Sequence, residues 1–320
     1  RVPRGGTSGM LGGLPARHSI SSFMPFRLGF VLLTHAETPQ LRRLVSTLDR
    51  MFDAPPIVCH HDFSKCELPV HGFGPNLSFV RPHAVTGWGS FSIVEATLRG
   101  IEALYARPDA PDWFVLLSAA DYPVRPAGEI IAELAASPFD AYIEHREIRY
   151  ENRDDPADRL YFRRYCTFRY HLSALFGGAP STRFVTLRHP WLTRYFTPFS
   201  ADFRCFMGGQ WFSANGRAAE HLLRFHRERH ALADHYRRQE RYRLICPDES
   251  YVQTILGNAE QLQVKNDALR CIDWSAGEPH PRTFTVADLP LITASGAHFA
   301  RKFDMAADAA VFDRLDEIVG

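Results

Sequence analysis

The feature that most constrains the fold is an apolar run, LGFVLLT, at residues 28–34, which ends in His35. A continuous apolar run of this length that ends in a polar residue is typical of a buried parallel strand. Residues 38–51 follow with apolar side chains at helical spacing. A second strand-like run, at residues 57–59, ends in two histidines and Asp62. The chain therefore begins as a strand–helix–strand unit.

The alternation continues toward residue 125. A strand, a helix and a further strand are predicted at residues 76–80, 90–105 and 113–117, with Ser90 or Ser92 capping the helix. This pattern predicts an α/β fold, with a sheet flanked by helices. Ligands bind such sheets at the carboxyl ends of the strands. We therefore expect His35, Asp62 and Asp121 to lie near a binding cleft.

The rest of the chain has no clear repeat or low-complexity linker. Residues 145–205 are expected to form loops and short helices that cover the sheet. Later helices are predicted at residues 217–243, 248–257 and 308–318. Residues 25–320 are taken as a single domain. Residues 1–24, rich in Gly, Ser and Arg, are interpreted as a flexible or tag-like lead-in, because they lack the apolar stretch of a secretion signal.

Charge and hydropathy exclude several classes of protein. The 320 residues carry 37 Lys and Arg against 36 Asp and Glu, which argues against a dedicated nucleic-acid partner. No apolar run approaches the roughly 20 residues of a membrane helix. Six scattered cysteines without a CxxC pair suggest reduced thiols. We expect a cytoplasmic protein with at most peripheral association with the inner membrane.

Several familiar motifs do not occur in the sequence. It has neither a Walker-type phosphate loop nor a GxGxxG after the first strand, so standard ATPase and dinucleotide-binding functions are not predicted. The Cys59-His60-His61 run with Cys66 and His71 contains zinc-ligand residue types. Its spacing matches no common zinc pattern, and adjacent strand residues point to opposite faces. No metal ion or other cofactor is expected.

Two carboxylates are candidates for chemistry. Asp121, in LSAADYPVRP, follows an apolar strand and could bind a ligand hydroxyl or cap the turn before Pro123. Glu249, in CPDESYVQTIL, is predicted in the first turn of a helix. It could serve as a general base or cap that helix, while Asp248 could take the capping role instead. Sequence spacing alone leaves these alternatives open.

The cations are dominated by arginine, since Lys65, Lys265 and Lys302 are the only lysines among 37. Lys302 and Arg282 occur in late segments and could together neutralise a diphosphate without a metal. Ordinary salt bridging is the alternative for both. The scarcity of lysine gives Lys302 added interest, because a compact ammonium suits a phosphate.

Two tryptophans are candidate platforms for a sugar ring. Trp211 lies in GGQWFS and Trp274 in CIDWSAG. A tryptophan face packs well against the apolar face of a pyranose, but packing in or around the core accounts for either residue equally well.

Taken together, the segments resemble one family, the core-2/I-branching β-1,6-N-acetylglucosaminyltransferases and peptide O-xylosyltransferases. The matching blocks, in chain order, are FVLLTHAETPQLRRL, IVCHHDFSK, GWGSFSIVEATLRGIEAL, WFVLLSAADYPVRP, GGQWFSANGRAAEHLL, CPDESYVQTILGN, LRCIDW and HFARKFD. They span residues 28–305. The segment LSAADYP is more similar to the xylosyltransferase branch of the family. The chain does not reproduce the cysteine pattern of the animal members, so a bacterial-type member is expected.

The resemblance implies a GT-A fold and an inverting transfer from a UDP-sugar without a divalent metal. It implies that Glu249 is the catalytic base and that Arg282 and Lys302 bind the UDP diphosphate. Residues on the donor side are then Leu33, His35, Asp62 and Asp121. Residues on the acceptor side are Glu144, Arg164 (or Arg163), Trp211 and Trp274.

The predicted activity is therefore glycosyl transfer, with xylose or N-acetylglucosamine the favoured sugar. The acceptor would be a glycan, glycolipid or polysaccharide, and the product a β linkage. One alternative is a UDP-sugar-binding subunit without activity. Another is a glycoside hydrolase that uses two carboxylates such as Asp121 and Glu249.

Overall fold

A computed structural model describes residues 26–152, 154–171 and 184–320. The predicted lead-in at residues 1–24 lies outside the described residues. The helices are α1 (Pro39–Phe52), α2 (Ser92–Tyr105), α3 (Ala127–Ala135), α4 (Pro156–Tyr161), α5 (Pro190–Thr193), α6 (Gly216–Glu228), α7 (His230–Glu240), α8 (Tyr251–Gly257), α9 (Leu289–Ala294) and α10 (Ala310–Val319). A π-helical turn spans Phe162–Cys166, and 3₁₀ turns span Val70–Gly72, Pro247–Glu249 and Val286–Asp288.

The strands form one large sheet and three small ones. They are β1 (Leu28–Thr34), β2 (Ile57–His61), β3 (Leu77–Phe79), β4 (Trp113–Ser118), β5 (Asp121–Pro123), β6 (Ala141–Ile143), β7 (Arg146–Glu147), β8 (Phe168–His171), β9 (Phe184–Leu187), β10 (Phe206–Met207), β11 (Phe212–Asn215), β12 (Val264–Lys265), β13 (Arg270–Ile272) and β14 (Phe299–Arg301). The large sheet has seven strands in the order β12-β6-β11-β4-β1-β2-β3. Strands β3, β2, β1 and β4 are parallel, and β11 is antiparallel to both of its neighbours.

The large sheet separates two apolar cores. Alternating side chains of β1 enter opposite cores, Phe30 and Leu32 on one face and Val31 on the other, as the two-residue period of a strand requires. Helices α1 and α10 pack in the first core, and α2, α6, α7 and α8 in the second. The predicted α/β architecture with helices on both faces of a mixed sheet is confirmed.

A small three-stranded sheet lies beside the carboxyl end of β4. Its order is β13-β14-β5, with β14 parallel to β13 and antiparallel to β5. Beyond it, the backbone N–H of Phe303 donates to the carbonyl of Ala120, at 2.9 Å. This sheet therefore carries the C-terminal segment with Lys302 back to the loop that follows β4.

The first four strands and the first two helices occur where the sequence predicts them, within about two residues. The capping prediction is correct for Ser90 and wrong for Ser92. Helix α2 begins after Phe91, and the Ser90 hydroxyl accepts from the N–H of Ser92, the first helical residue, at 3.1 Å. The Ser92 hydroxyl instead accepts from the backbone of Gly87, and the carboxylate of Glu240 accepts from the N–H of Phe91. A local serine and a carboxylate distant in sequence thus each satisfy one backbone donor at the start of α2.

Two later helices differ from their predicted bounds. The helix predicted over residues 217–243 is two helices, α6 and α7, that meet at Arg229. The helix predicted over residues 248–257 begins only at Tyr251, so Glu249 lies in a preceding 3₁₀ turn. Glu249 is therefore placed by that turn and its contacts.

Candidate functional site

Three parallel strands bring the first predicted residues to one edge of the sheet. Leu33 of β1 pairs with His60 of β2 on one side and with Ser118 of β4 on the other. The N–H of Asp62 donates to the carbonyl of Thr34, at 2.9 Å. Leu33 is half-buried and His35, one residue beyond β1, is exposed. His35 and Asp62 thus lie at the carboxyl edge, as predicted, and Leu33 lies at the same edge.

Asp62 organises the loop that closes this edge. One carboxylate oxygen accepts from the backbone and hydroxyl of Ser64, at 3.1 and 2.6 Å. The other accepts from the backbone and hydroxyl of Thr86, both at 2.7 Å. Burial raises the pKa of Asp62, but the Ser64 and Thr86 hydrogen bonds outweigh it and hold the pKa well below its usual range. Asp62 is therefore an ionised, fully bonded carboxylate that fixes the loop around Thr86.

The neighbouring histidines and cysteines are used in ordinary hydrogen bonds. His60 accepts from the N–H of Ala84, at 2.9 Å, and His61 bonds to the Thr34 hydroxyl, at 2.8 Å. Burial is the first cause that lowers the pKa of His60, to about 4. Within residues 26–152, 154–171 and 184–320, no group of three or more His, Cys, Asp and Glu is placed to hold a metal ion. All six cysteines are free thiols.

Asp121 lies deeper than the other edge residues. It is fully buried, and one of its oxygens accepts from the backbone and hydroxyl of Ser118, at 2.7 and 2.5 Å. The same oxygen lies 3.5 Å from the guanidinium of Arg301. Its other oxygen has no hydrogen-bond partner. The local capping role left open by the sequence is thus filled, through Ser118, while a donor-binding role stays a prediction.

Trp211 packs beneath the same arginine. Its side chain is 8% exposed, and the guanidinium of Arg301 lies 4.0 Å from its ring centroid. Because the cation covers that ring face, packing accounts for Trp211. Its predicted role as a sugar-stacking platform has no support from this geometry. Trp274, in contrast, is 56% exposed in the loop after β13, and is available to an acceptor.

The turn that carries Glu249 is held by strand β10. The N–H of Gly208 donates to the carbonyl of Glu249, at 2.9 Å. The Ser250 hydroxyl donates to the carbonyl of Phe206, at 2.6 Å. The turn begins at Cys246, whose φ of 44° lies in the left-handed region. Contacts on both sides of Glu249 therefore fix its backbone.

A loop connects this turn to the edge of the sheet. The N–H of Cys246 donates to the carbonyl of Gly89, at 3.2 Å, three residues after Thr86. Gly89 has a φ of 68°, and a Cβ there would clash with the side chain of Leu244. Only glycine meets both conditions without strain. The loop from Thr86 to Gly89 thus links Asp62 on one side with the Glu249 turn on the other.

Two donors converge on one oxygen of Glu249. Arg164 Nη1 lies 3.1 Å from Glu249 Oε2, and the Tyr165 hydroxyl lies 3.4 Å from the same atom. The Tyr165 hydroxyl also lies 3.2 Å from the carbonyl of Cys246. Both donors come from the π-helical turn, a local form that is frequent at functional sites. The second oxygen of Glu249 has neither of these partners, and the side chain is 37% exposed.

The acidity of this turn is set by its surroundings. Burial raises the pKa of Glu249, and the charge of Arg164 and the Tyr165 hydrogen bond partly oppose that rise. Burial, followed by the charge of Glu249, raises the pKa of the adjacent Asp248 to about 7. One oxygen of Asp248 is buried without a hydrogen-bond partner. Burial therefore raises the pKa of both neighbouring acids, and it brings that of Asp248 to about 7.

Glu144 is brought close to the same turn. It is exposed, directly after β6, and a Cβ on Gly208 would clash with its carbonyl oxygen. Gly208 is therefore required for this close approach. The next residue, Gly209, accepts from the side chain of Gln253, at 2.7 Å, which also reaches the carbonyl of Asp248, at 3.3 Å. The predicted acceptor-side glutamate thus adjoins the predicted base.

The two late cations are joined through the backbone. The N–H of Phe284, two residues after Arg282, donates to the carbonyl of Lys302, at 2.9 Å. Arg282 donates to Asp273, at 2.7 Å, and to Asp288, also at 2.7 Å. The hydrogen bonds to Asp288 and Asp273 raise the pKa of Arg282 above its ordinary value. The salt bridging considered as the alternative for Arg282 is therefore present.

Lys302 differs from Arg282 in its contacts. Its side chain is half-buried, and within the described part of the chain no ion pair or hydrogen bond involves its ammonium group. The predicted alternative pairing with Asp304 is not formed. Lys302 follows β14, next to the loop between β4 and β5, so it lies near the buried Asp121. The structure thus places an unpaired cation at the carboxyl edge.

Sequence reasoning did not single out several residues of this region. Tyr165 carried no signal beyond its position next to Arg164, and Arg163 is exposed, with its carbonyl bonded to Arg243. Thr86 and Arg301 were missed because their contacts, with Asp62 and Trp211, are with residues distant in sequence. The described helices are all too short or too polar to cross a bilayer.

Comparisons with known proteins bear on the identity of the chain. Its structure is similar to that of a 4-diphosphocytidyl-2C-methyl-D-erythritol synthase from Anaerococcus prevotii DSM 20548, at 10% identity and a TM-score of 0.34, over 84% of this chain and 96% of that one. No curated protein matches the chain in sequence. The family model of the Core-2/I-Branching enzymes matches residues 28–294. The chain belongs to the Core-2/I-Branching enzyme family.

Proposed function

We propose that the protein transfers a sugar from a UDP-sugar to an acceptor hydroxyl, with inversion to a β linkage and without a metal ion. Membership of the Core-2/I-Branching family makes the chain a glycosyltransferase with a nucleotide-sugar donor and a glycan acceptor. The observation that best supports the finer proposal is the way in which the Glu249 carboxylate is oriented. Its carboxylate is oriented through one oxygen by Arg164 and Tyr165, while the other is free of both.

In this mechanism Glu249 is the general base. Its free oxygen accepts the proton of the acceptor hydroxyl, and the hydroxyl oxygen forms a bond to the anomeric carbon of the donor. The bond from that carbon to the UDP oxygen breaks on the opposite face, so an α donor gives a β product. A base that acts near neutral pH benefits from a pKa raised toward the working pH, and burial raises the pKa of Glu249.

Charge develops on the departing diphosphate. Lys302 offers an ammonium group that pairs with no described residue, and Arg282 is held in a fixed orientation by Asp273 and Asp288. Preorganised cations lower the free energy of a developing anion without further reorganisation. The backbone hydrogen bond from Phe284 to Lys302 ties the segment that carries Arg282 to the segment that carries Lys302. These two residues take the role that a divalent metal has in many nucleotide-sugar enzymes.

The remaining assignments follow the geometry. His35 and Leu33 would face the donor nucleoside at the carboxyl edge, and Asp62 would shape that pocket through the Thr86 loop. Glu144 and the exposed Trp274 would contact the acceptor. The GT-A designation of the fold and the bacterial type belong to the same proposal.

Metal independence has a direct test. Transfer should be unchanged, within about twofold, after dialysis against EDTA, because the cations that stabilise the leaving group belong to the protein. Re-addition of Mg²⁺ or Mn²⁺ serves as the control. A strict requirement for either ion would contradict the role given to Arg282 and Lys302.

The donor is best identified with a panel of UDP-sugars, UDP alone and matching GDP-sugars. Thermal stabilisation and slow donor hydrolysis should be selective for uridine nucleotides, since a ligand bound only by the folded state raises its stability. Candidate acceptor sugars are then added to the donor that stabilises most, and the anomeric configuration of the product is read by NMR.

The panel also separates the alternatives. Stabilisation by UDP with no turnover of any donor would favour a binding subunit. Sugar release from an oligosaccharide without a nucleotide would favour a hydrolase. The hydrolase alternative needs a second accessible carboxylate, and its candidate, Asp121, is fully buried and bonded to Ser118.

A further inference from the structure

The segment that connects β9 to β10 in the chain exposes several large apolar side chains. Trp191 is 60% exposed, Tyr195 65%, Phe196 46% and Leu192 37%. They belong to α5 and the turn that follows it, and with Arg194 they are called the aromatic patch. Contiguous exposed apolar side chains are uncommon on a monomer and mark a surface that contacts something else.

The segment around the aromatic patch is strongly basic. Residues 159–201 contain seven arginines and not one Asp or Glu, whereas the whole chain has a net charge of only +1. Arg188 and Arg194 are exposed beside the aromatic side chains. Arg194 donates to the Tyr195 hydroxyl, at 2.6 Å, and its guanidinium lies 4.7 Å from the Tyr195 ring centroid. Two exposed arginines thus accompany the exposed apolar side chains, and the described residues 184–201 contain no Asp or Glu.

The aromatic patch is anchored to the protein beneath it. Phe196 stacks on Phe168 with ring centroids 5.2 Å apart, and Phe168 is buried. Thr193 is buried in the middle of the patch, and its carbonyl accepts from the N–H of Thr197, at 2.8 Å. Trp191 and Tyr195 are therefore presented outward from a fixed base.

We propose that the aromatic patch, with Arg188, docks the protein on the surface of an anionic lipid membrane. Tryptophan and tyrosine favour the boundary between lipid headgroups and acyl chains, because one part of each ring system is apolar and another is polar. Arginines beside them attract anionic headgroups, and this attraction adds to the apolar burial. Within residues 184–201, which carry the aromatic patch, no carboxylate is present to repel an anionic surface. An α5 of four residues lies on such a surface and does not enter it.

Docking would place the membrane near the base. Phe168 begins β8, two residues after the π-helical turn that carries Arg164 and Tyr165. The surface that contacts lipid is thus continuous in chain with the residues that hold Glu249. Vesicle binding requires no turnover, so this inference stands or falls separately from the proposed activity.

The test is co-sedimentation of the full chain with vesicles of phosphatidylcholine alone and with about 30% phosphatidylglycerol. Binding to the anionic vesicles should be at least about tenfold tighter, and should weaken as salt is raised, because the attraction is electrostatic. The Trp191→Ala/Tyr195→Ala variant should lose about tenfold in binding, with a matched loss of the blue shift in tryptophan fluorescence. Arg188→Glu/Arg194→Glu should lose at least as much on anionic vesicles only.

Matched controls lie elsewhere on the surface. Trp88 is 67% exposed and Arg227 has a side chain that is 62% exposed, and both lie outside the patch. Trp88→Ala and Arg227→Glu should bind vesicles like the unaltered protein. Circular dichroism and the unfolding midpoint establish that each variant is folded. A patch variant that unfolds is replaced by Trp191→Gln or Tyr195→Ser alone, which keep the backbone contacts.

Three outcomes would overturn the proposal. The first is no binding of the unaltered protein to anionic vesicles at low salt. The second is equal loss for patch and control variants. The third is a concentration-dependent dimer, seen by analytical ultracentrifugation, that Trp191→Ala/Tyr195→Ala dissociates and vesicles do not; this would assign the patch to a second copy of the chain.

Discussion

The base side and the cation side of the site are built in different ways. At the base, Glu249 already has its partners, Arg164 and Tyr165, and its environment raises its pKa. At the cation side, Arg282 is neutralised by two carboxylates, while the ammonium of Lys302 pairs with no described residue. The Glu249 carboxylate is thus oriented before any ligand binds. Of the two cations, Arg282 is already paired with carboxylates, whereas Lys302 pairs with no described residue.

This difference suggests which side binds and which side reacts. An unpaired cation gains most from an incoming diphosphate, because no existing ion pair is lost. A carboxylate that is already oriented gains little binding energy, but acts as soon as an acceptor hydroxyl arrives. We expect changes at Lys302 to alter affinity for UDP and changes at Glu249 to alter turnover.

The sharpest test of the comparison is Glu249→Gln. The amide cannot accept the proton, so transfer should fall by about 10²–10⁴-fold, while UDP affinity stays within about twofold. Single-turnover kinetics and UDP calorimetry measure the two effects. Glu260→Gln, at an exposed glutamate elsewhere, is the control. Full turnover by Glu249→Gln would reject the assignment of the base.

Lys302→Ala should have the next largest effect. Removal of a charge-assisted contact should weaken UDP binding by about 10–100-fold. Lys265→Ala is the matched control, because Lys265 is exposed on β12 and far in sequence from the cation pair. Calorimetry with UDP measures both. Unchanged UDP affinity in Lys302→Ala would contradict the role of Lys302 in binding the diphosphate.

Arg164→Ala tests how the base is tuned. Without the positive charge that lowers it, the pKa of Glu249 should rise further. Because the base must be ionised, the acidic limb of the kcat/KM profile should move to higher pH, with turnover near neutral pH reduced by about tenfold. Arg164→Lys should restore most of the profile, and Tyr165→Phe should shift it less. A fall in kcat without any shift of the limb would contradict the electrostatic role.

Asp248→Asn should have the smallest effect on transfer, within about threefold. Its consequence should be seen in stability. Because burial raises the pKa of Asp248 to about 7, the free energy of unfolding should fall as pH rises from the ordinary aspartate range through that value. The asparagine variant should lack this fall, so its advantage grows with pH. Urea unfolding at about pH 5 and about pH 9 measures the difference. Parallel pH dependence in both proteins would contradict the buried acid.

Much of the central sheet could be predicted from the sequence. The runs at β1 and β4 are continuously apolar because both faces of these strands are buried, and such runs are legible without tertiary information. Their polar ends placed His35 and Asp62 at the carboxyl edge of the sheet, where the structure has them, and the role of that edge in binding stays a prediction. The resemblance added roles for Glu249, Arg282 and Lys302, and in the structure the backbone N–H of Phe284, two residues after Arg282, donates to the carbonyl of Lys302.

Other parts could not be predicted, because they depend on contacts between distant segments. One backbone donor at the start of α2, the N–H of Phe91, is satisfied by Glu240, which is 149 residues away in sequence. Trp211 has the same sequence signal as Trp274, and only the position of Arg301 shows that one is packed and the other exposed. The break between α6 and α7 at Arg229 has no nearby proline or glycine from which it could be predicted.

By itself, the sequence determined the α/β architecture, the polar residues at the carboxyl edge of the sheet and the family to which the chain belongs. These depend on local hydrophobic patterning and on residues in a recognisable order. Only the tertiary structure decided which partners each charged side chain of the site has. Tyr165 orients Glu249, Asp273 and Asp288 neutralise Arg282, and Lys302 is left without a described partner. Burial and ion pairing are set by what packs around a side chain, and those neighbours come from segments that the local pattern does not connect.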